Sequence, residues 1–399
     1  MMIKDSYDVI VVGGGPAGSS AGEACAKLGL DVLVLERNNE LGTPKRCGEG
    51  MSDNSIKRLG LDIPKRCIAQ EVHGAYAYAP NGRTIKIKYA NTNGYILERK
   101  VFDKWLASRA ASAGAKVIAK VEVVNLIKDK NQVTGVVART MDGDIPIKAN
   151  VIVAADGVES VVMRMAGLKT NKKPTLVDSG FQYEMAGIDI PEPDMIDFFF
   201  GNKIAPRGYA WIFPKGNDIA NVGIGINGSL RNVTARAFLD KFISERPALK
   251  KGSILEVNAG SVPVGGFMKN MVSDGIVGVG DAVNQVNPIH GGGIPESIIA
   301  GRLAADVIKK AHNKKDFTKK ILSEYNEIWW KERGSSLEKI EKVREMFEKM
   351  SDEEMCDAVE TLQGVDLYDL AHGKNIFKLT KIVARYKMKG LSRKLGLKK

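Results

Sequence analysis

One stretch constrains this chain more than any other: Tyr7-Asp-Val-Ile-Val-Val-Gly-Gly-Gly-Pro-Ala-Gly18, followed by Val32-Leu-Val-Leu-Glu36. An apolar run enters Gly13-x-Gly15-x-x-Gly18, a helix is expected from about Ala17 to Leu28, and a second apolar run ends on an acid. Gly13 suits the tight turn, Gly15 lets the backbone approach a pyrophosphate, and Gly18 lets helix and strand pack closely. The helix N-terminus offers unpaired N–H groups and a partial positive charge to phosphates. Glu36 falls about 20 residues beyond the glycines, where a carboxylate can accept hydrogen bonds from a ribose. The stretch therefore predicts a dinucleotide site with Gly13, Gly15, Ala17, Gly18 and Glu36 as contacts. By itself it does not choose between NAD and FAD.

A chain of 399 residues is too long for one small core, so two or three packed units are expected. The apolar share of 44% and charged share of 27% are those of a water-exposed globular protein. No run of about 18 apolar residues is present, which argues against a membrane span. The first strand begins almost at once, leaving no room for a signal peptide, so a cytoplasmic location is expected. Cys25, Cys47, Cys67 and Cys356 lack CxxC spacing, which fits a reducing compartment and argues against a zinc site. The net charge of +12 points to an anionic partner: nucleic acid, a lipid surface or a phosphorylated substrate.

After Glu36, the run Gly42-Thr-Pro-Lys-Arg46-Cys47-Gly48-Glu-Gly50 cannot sustain a helix or strand, so it is a loop leaving the tip of the second strand. Cys47 is there a candidate for chemistry, or equally a small residue packed beside a cofactor. Lys45 and Arg46 would favour its thiolate if they lie close in space. Further on, Ser52–Leu59 reads as a short helix, Glu71–Tyr89 as a hairpin, Val101–Ala113 as an amphipathic helix and Lys116–Val124 as one strand. Gln132–Arg139 with Ile145–Ala149 reads as a second hairpin. Val151-Ile-Val-Ala-Ala-Asp156-Gly157 puts a carboxylate at a strand's C-terminal edge. From Pro174 to Val264 short strands and aromatics dominate, with little helix, and a second, mostly antiparallel sheet is expected. Within it Tyr209, Trp211 and Phe213 share one face by the two-residue period. Such a stripe is core more often than ligand wall. Gly275-Ile-Val-Gly-Val-Gly280-Asp281 is a third buried strand ending on an acid. Pro288-Ile-His290-Gly-Gly-Gly293-Ile294 and a helix, Pro295–Lys310, follow it. His290 could serve as an acid or base, although a loop histidine is more often structural. Phe317–Ser335, Ser336–Met350, Asp352–Leu362 and Asn375–Lys389 read as charged helices. From Lys374 onward there are ten Lys or Arg and no acid. Such a tail suits an anionic membrane surface or a solvated face, and nucleic acid is disfavoured because no binding module accompanies the charge.

The order Gly13-x-Gly15-x-x-Gly18 with Glu36, then Asp156-Gly157, then Gly280-Asp281 with the glycine run, resembles the flavoprotein monooxygenase superfamily of the p-hydroxybenzoate hydroxylase fold. That resemblance implies FAD, with Glu36 on the adenosine ribose, Asp281 on the flavin-side ribitol or ribose, and the Gly293 and Ile294 backbone near the isoalloxazine. It also implies roles for Arg99, as an FAD-contacting arginine, and for Val121, whose backbone would meet the adenine. A narrower resemblance rests on Arg46-Cys47-Gly48-Glu49-Gly50, on Gly208-Tyr-Ala-Trp-Ile-Phe-Pro214, and on the segment Gly280 to Ser297. These look like the geranylgeranyl reductase family, above all its archaeal ether-lipid members, which saturate isoprenoid chains and are described as peripheral to the membrane. The expected architecture is α/β, with a Rossmann-like FAD-binding domain (1–75, 95–170 and 265–312), an antiparallel β-sheet substrate domain (76–94 and 171–264) and a C-terminal helical segment (313–399). Arg46, Cys47, Gly48 and Gly50 would border the cofactor, and Tyr209, Trp211, Phe213 and His290 the lipid.

An isolated alkene is unactivated, so a proton must reach it before the hydride or together with it, on a placed path. Cys47, or water held by its loop, is the expected source, with the difficulty that a thiolate has no proton to give. A geranylgeranyl ether lipid and an electron donor such as ferredoxin, a reduced deazaflavin or NAD(P)H are the implied partners, with peripheral contact on the inner face of the cell membrane. The same fold also serves FAD monooxygenases and aromatic hydroxylases, which would reveal themselves by oxygen uptake coupled to NADPH.

Overall fold

The computed structural model of the chain describes residues 3–170 and 173–361. Its first sheet is built on the strand β1 (Ser6–Val12), which pairs in parallel with β2 (Val32–Leu35) on one side and with the strand Gly143–Ala154 on the other. Lys116–Ile118 extends the sheet beyond β2, and Ile276–Gly278 extends it beyond Gly143–Ala154, both in parallel. The chain leaves β1 toward one edge and returns on the other side. This reversal opens a crevice at the carboxyl ends of the central strands, where doubly wound sheets take their ligands. Registers Val12↔Ala154 and Ala154↔Gly278 set Gly13, Asp156 and Gly280 side by side along that crevice.

The helix α1 (Pro16–Lys27) starts with proline in its first turn, where no N–H is needed. It lies between the helix Arg99–Ser112 and the 21-residue helix Ile294–Lys314. Small residues permit the close approach: a Cβ on Gly301 would come 2.6 Å from Ala17 O, and a Cβ on Gly22 would press on Val34 at 2.7 Å. Val9, Ile10, Val11, Leu33, Val34 and Ile152 are fully buried beneath these helices.

A second, seven-stranded sheet follows the order Ser253–Pro263, Val177–Ala186, Ala220–Asn227, Tyr209–Pro214, Met195–Phe200, Gly74–Tyr78, Thr84–Lys88. Every pairing is antiparallel except Met195–Phe200 with Gly74–Tyr78. Its outer face carries Met185, Ala210, Val222 and Ile224, which pack with Leu239 and Phe242 of the helix Ala235–Ser244. Thr234 caps that helix by accepting the Ala237 N–H. Its inner face, by the two-residue period, carries Gln182, Glu184, Tyr209, Trp211 and Phe213. A small third sheet joins Gly50–Ser52, Gly94–Leu97 and Ile68–Val72.

Several sequence expectations change. The expected strand Lys116–Val124 divides into Lys116–Ile118 and Glu122–Asp129. Lys120 takes a left-handed φ of 61° there, while the N–H groups of Lys120 and Val121 donate to Asn38 O and Glu36 O. The hairpin within Glu71–Tyr89 narrows to Gly74–Tyr78 and Thr84–Lys88, because residues up to Val72 belong to the third sheet. The region expected to be strand-rich with little helix holds one more strand than expected, the edge strand Ser253–Pro263, and is interrupted by the helix Ala235–Ser244. The break expected between Ser335 and Ser336 is absent. A π turn, Trp330–Gly334, runs straight into Ser335–Phe347, and a Cβ on Gly334 would press on the Trp330 ring at 2.7 Å. The expected helix Asn375–Lys389 and the basic tail lie outside the described residues.

A Cβ on Gly18 would overlap Gly13 O. Gly18→Ala should therefore cost about 1–3 kcal/mol of stability, measured from the denaturant midpoint; an unchanged midpoint would contradict the packing described for the turn.

Candidate active site

The glycine turn is shaped for a phosphate group. Gly13 holds φ at 104°, and a Cβ there would overlap Ala155 O, so the turn sits tightly against the Asp156 loop. At Gly15 a Cβ would meet nothing within 4 Å, which leaves the start of α1 open to an approaching ligand. Glu36 is buried. It accepts the Gly14 N–H at 2.9 Å through Oε2, and the Asn38 N–H and side-chain amide at 2.9 and 2.7 Å through Oε1. A carboxylate has about four acceptor positions and three are taken, so capacity remains for one ribose hydroxyl. Val121 is brought beside it through its N–H to Glu36 O, 2.9 Å. Asp156 Oδ2 accepts the Val162 N–H at 3.0 Å. A Cβ on Gly280 would lie 2.9 Å from the Ala17 methyl, and one on Gly293 3.0 Å from Asp281 Oδ1. The three motifs, far apart in sequence, thus border one crevice, with Gly293 and Ile294 at the start of the long helix. This set fits a dinucleotide lying along the strand ends.

The loop carrying Cys47 faces the inner side of the second sheet. A Cβ on Gly48 would come 3.0 Å from the Phe213 ring and 3.5 Å from Trp211 Nε1, and one on Gly50 3.6 Å from Phe213. The Trp211 indole donates to Gln182 Oε1 at 3.0 Å, and Gln182 Nε2 donates to Cys47 O at 3.2 Å. Trp211 contacts Tyr209 and Phe213, and Phe198 contacts the same two rings, at centroid distances of 5.5–6.1 Å. Tyr209 OH donates to His290 O at 2.8 Å. The His290 ring itself is turned back on its own loop, where Nδ1 accepts the Gly292 N–H at 3.1 Å. Gly180, Gly223 and Gly225 share this face; the Trp211 ring lies directly over Gly223, where a Cβ would come 2.3 Å from it, and its edge reaches Gly225.

Around Cys47 the neighbours differ from those adjacent in sequence. Arg46 runs along Gly260 and pairs with Glu159 at 2.7 Å. Lys45 is buried and points to Glu49, Glu184 and Glu256. The cation within reach of the Cys47 sulfur is Arg99, whose guanidinium also grips Asp103 through Nε and Nη2 at 2.7 and 2.8 Å. Burial would push the Arg99 guanidinium down, but Asp103 and Cys47 outweigh it and hold it above its ordinary value. The Glu49 N–H donates to Cys47 Sγ at 3.2 Å.

Sequence reasoning missed the group beneath this loop. Glu49 is fully buried. Its Oε1 accepts the Arg99 N–H at 2.7 Å, and its Oε2 meets Asn221 Nδ2 at 2.7 Å, Lys215 Nζ at 3.0 Å and Lys45 Nζ at 3.1 Å. Lys215 also reaches Glu98 and Glu184, both at 2.8 Å. Burial alone would push both ammonium groups down. Glu49 and Glu184 hold Lys45 above its ordinary value, and Glu49, Glu184 and Glu98 do the same for Lys215. Glu184 is lowered despite its burial, because Lys215 and Lys45 hydrogen-bond to it. The available signal was weak: an acid next to Gly48 and a lysine directly after the apolar strand ending at Pro214.

Curated relatives match over nearly the whole chain. The chain is 41% identical to digeranylgeranylglycerophospholipid reductase 2 of Methanopyrus kandleri over 384 residues, covering 94% of this chain and 96% of that one. It is 38% identical to the digeranylgeranylglycerophospholipid reductase of Methanocaldococcus jannaschii over 373 residues, covering 92% and 94%. The chain belongs to the geranylgeranyl reductase family. The geranylgeranyl reductase catalytic domain matches residues 177–262, and an FAD binding domain matches residues 6–208. A solved geranylgeranyl bacteriochlorophyll reductase-like protein of Thermoplasma acidophilum superposes with a TM-score of 0.90 at 34% identity, over 96% of this chain and 99% of that one. The flavin-dependent brominase Bmp2 shares the fold alone, with a TM-score of 0.74 at 19% identity over 96% of this chain and all of that one. FAD is therefore the dinucleotide of this family member. The expected α/β architecture, with its FAD-binding fold and second sheet, holds.

At the far end of the inner face, burial pushes the Asp178 carboxyl up to about 7; Glu348 adds to the rise, and Arg344, Arg207 and Asn227 oppose it. Its Oδ1 is buried without a hydrogen-bond partner. A raised carboxyl binds its proton in the folded state before it does in the unfolded chain. Its contribution to stability therefore falls as pH rises from about 4, the unfolded value, to about 7. Asp178→Asn should melt a few degrees above the parent at pH 8, and the gap should close by pH 4. An equal difference at both pH values in thermal unfolding would contradict the assignment.

Proposed function

We propose that this protein saturates the carbon–carbon double bonds of geranylgeranyl chains in archaeal ether phospholipids, as its curated relatives are named for doing. The observation that carries the reading is the contact of the Cys47–Gly48 loop with Trp211 and Phe213. It brings a thiol to an apolar, aromatic wall beside the crevice where the dinucleotide motifs converge. The division of labour would fall between a discontinuous FAD-binding part, 1–75, 95–170 and 265–312, and a β-rich substrate part, 76–94 and 171–264, with the strand Gly74–Tyr78 of the second sheet crossing the first of these bounds.

In this reading Gly13, Gly15, Ala17 and Gly18 cradle the pyrophosphate. Glu36 and Val121 hold the adenosine end, and Asp156, Asp281, Gly293 and Ile294 line the flavin end. Arg46, Gly48 and Gly50 keep the Cys47 loop closed over the cofactor. Reduced FAD supplies hydride. Tyr209, Trp211 and Phe213 orient the chain and exclude water, so that a carbocation-like centre is not captured by solvent. Cys47 gives its S–H proton to one alkene carbon. The sulfur left behind is met by the Glu49 N–H and the Arg99 guanidinium, and it must take up a proton again before the next double bond is reduced. His290 contributes its carbonyl, which fixes the Tyr209 hydroxyl at the edge of the wall.

Any such reductase needs an electron donor, and ferredoxin, a reduced deazaflavin or NAD(P)H would serve. No helix among the described residues is long and apolar enough to cross a membrane. The basic stretch from Lys374 to Lys399 would give peripheral contact with anionic lipid on the inner face of the membrane.

Anaerobic incubation of the FAD-bound protein with dithionite and digeranylgeranylglyceryl phosphate should add one H2 per double bond, read by mass spectrometry. An unchanged lipid with FAD still bound would sink the proposal, as would NADPH-dependent oxygen uptake that yields a hydroxylated product. Cys47→Ala should slow the reaction by roughly 10²–10⁴-fold, the usual contribution of a placed acid, without loss of FAD. A parental rate would remove Cys47 from the chemistry.

A further inference from the structure

We infer that Glu49 is the positioning residue for Cys47, held by Lys45, Lys215 and Asn221 so that its own N–H pins the Cys47 sulfur. The inference rests on the proposed role of Cys47 in proton delivery, and it adds a residue whose side chain faces away from the lipid.

The backbone supplies the first observation. Glu49 holds φ at 74°, a left-handed conformation that a residue with a Cβ rarely adopts. Such strain costs on the order of 1–3 kcal/mol and persists only where the surroundings over-determine it. Glycine stands on both sides, at Gly48 and Gly50, so the loop had a cheap residue type to hand for that conformation. The position carries an acid instead.

The side chain shows what over-determines it. Both carboxylate oxygens are engaged, Oε1 by the Arg99 N–H and Oε2 by Asn221, Lys215 and Lys45, at 2.7–3.1 Å, with no exposure to solvent. The partners come from four separate segments: the loop itself, the start of the helix Arg99–Ser112, the strand Ala220–Asn227, and the residue after the strand Tyr209–Pro214. The backbone of the same residue is fixed at its other end, because Glu49 O accepts the Leu97 N–H at 2.9 Å. With its side chain and carbonyl both immobilised, the N–H of Glu49 has one direction available, and it lies 3.2 Å from Cys47 Sγ. The carbonyl of Cys47 is tethered separately by Gln182. Sulfur and carbonyl are thereby located against the same sheet that carries Trp211 and Phe213.

A charge is required for this work. A glutamine at the position has one acceptor oxygen. Turned to the Arg99 N–H, it sets its NH2 against Asn221, Lys45 and Lys215; turned to those three, it sets its NH2 against the Arg99 N–H. Either way two almost completely buried ammonium groups lose a counter-charge. The two ammonium groups would then turn to Glu184, Glu98 and Glu256, and the loop would be released from the sheet.

The test is a double-mutant cycle in the FAD-bound protein, with Glu49→Gln, Cys47→Ala and the pair. Displacement of a reacting group by about 1 Å costs on the order of 10²-fold in rate. Glu49→Gln should therefore lower kcat on that order, leave KM for the lipid nearly unchanged, and cost nothing further once Cys47 is alanine. Losses that multiply in the pair would overturn the inference, because a general structural role acts whether or not the thiol is present. A second reading is independent of turnover: the rate at which iodoacetamide alkylates Cys47, followed by peptide mass. Glu49→Gln should change it by about tenfold, in line with a thiol no longer fixed in one geometry; an unchanged rate would overturn the inference. This second reading decides the matter even if Cys47→Ala keeps the parental rate, an outcome that would remove the proposed chemistry rather than the positioning. If Glu49→Gln does not retain FAD, Asn221→Ala removes one hydrogen bond from the same carboxylate and enters the same cycle, with the same outcomes on either side.

Discussion

Two lysine ammonium groups and a glutamate share a space from which water is almost absent, and the geometry of the active-site loop depends on their mutual attraction. Charges taken from water cost several kcal/mol each, and they are tolerated only where opposite charges and hydrogen bonds satisfy them together. Lys45, Glu49 and Lys215 meet that condition through Glu184, Glu98, Asn221 and the Arg99 N–H. Removing the Glu49 charge would take from both ammonium groups their one fully buried counter-charge and leave them Glu184, Glu98 and Glu256, which are partly exposed. The arrangement is thus less a source of net stability than a constraint on shape. It admits one placement of residues 45–50, pressed against the second sheet at one side and against the helix that begins at Arg99 at the other.

The two faces of the second sheet serve different ends, and a strict period of two keeps them apart. Along Tyr209–Pro214, Ala210 and Ile212 turn outward to the helix Ala235–Ser244, while Tyr209, Trp211 and Phe213 turn inward. A slip of one residue in register would exchange the faces and put the aromatic wall into the core. The inner face is itself graded. Glu184 and Asn221 stand at the charged end beneath the Cys47 loop, glycines and aromatics occupy the middle, and Asp178 and Asn227 form a polar edge at the far end. A long apolar chain fits the middle and neither end, which ties the sheet's chemistry to the proposed substrate.

The dinucleotide half of the site was legible in the sequence because its signals are local. A strand, a glycine turn and a terminal acid fall within Tyr7–Glu36, and Asp156 and Asp281 each end an apolar run, so the physics that places them acts over a few residues. The aromatic stripe was legible as a shared face for the same reason. Its role was not, since alternation alone does not say what lies opposite. The charged group could not be read, because Lys45 meets Glu184 across 139 positions and Glu49 meets Asn221 across 172. The influence expected of Lys45 and Arg46 on Cys47 failed similarly: adjacency in sequence sent both side chains elsewhere, and Arg99 arrived from another element. Ser253–Pro263 escaped notice because it is an edge strand whose outward residues Leu255 and Val257 are exposed, which blurs the polar alternation a half-buried strand should show.

In the proposed reading the polyisoprenoid chain lies along the face that the Cys47–Gly48 loop and the strand Tyr209–Pro214 form together, beside the crevice lined by Gly13, Asp156 and Asp281. The most direct measurement is a crystal structure of the FAD-bound protein with a saturated diphytanylglyceryl phosphate. That placement predicts continuous chain density running over Tyr209 and Trp211 and reaching Cys47 and the flavin. Density confined to another surface, or a flavin separated from Cys47 by ordered side chains, would contradict it.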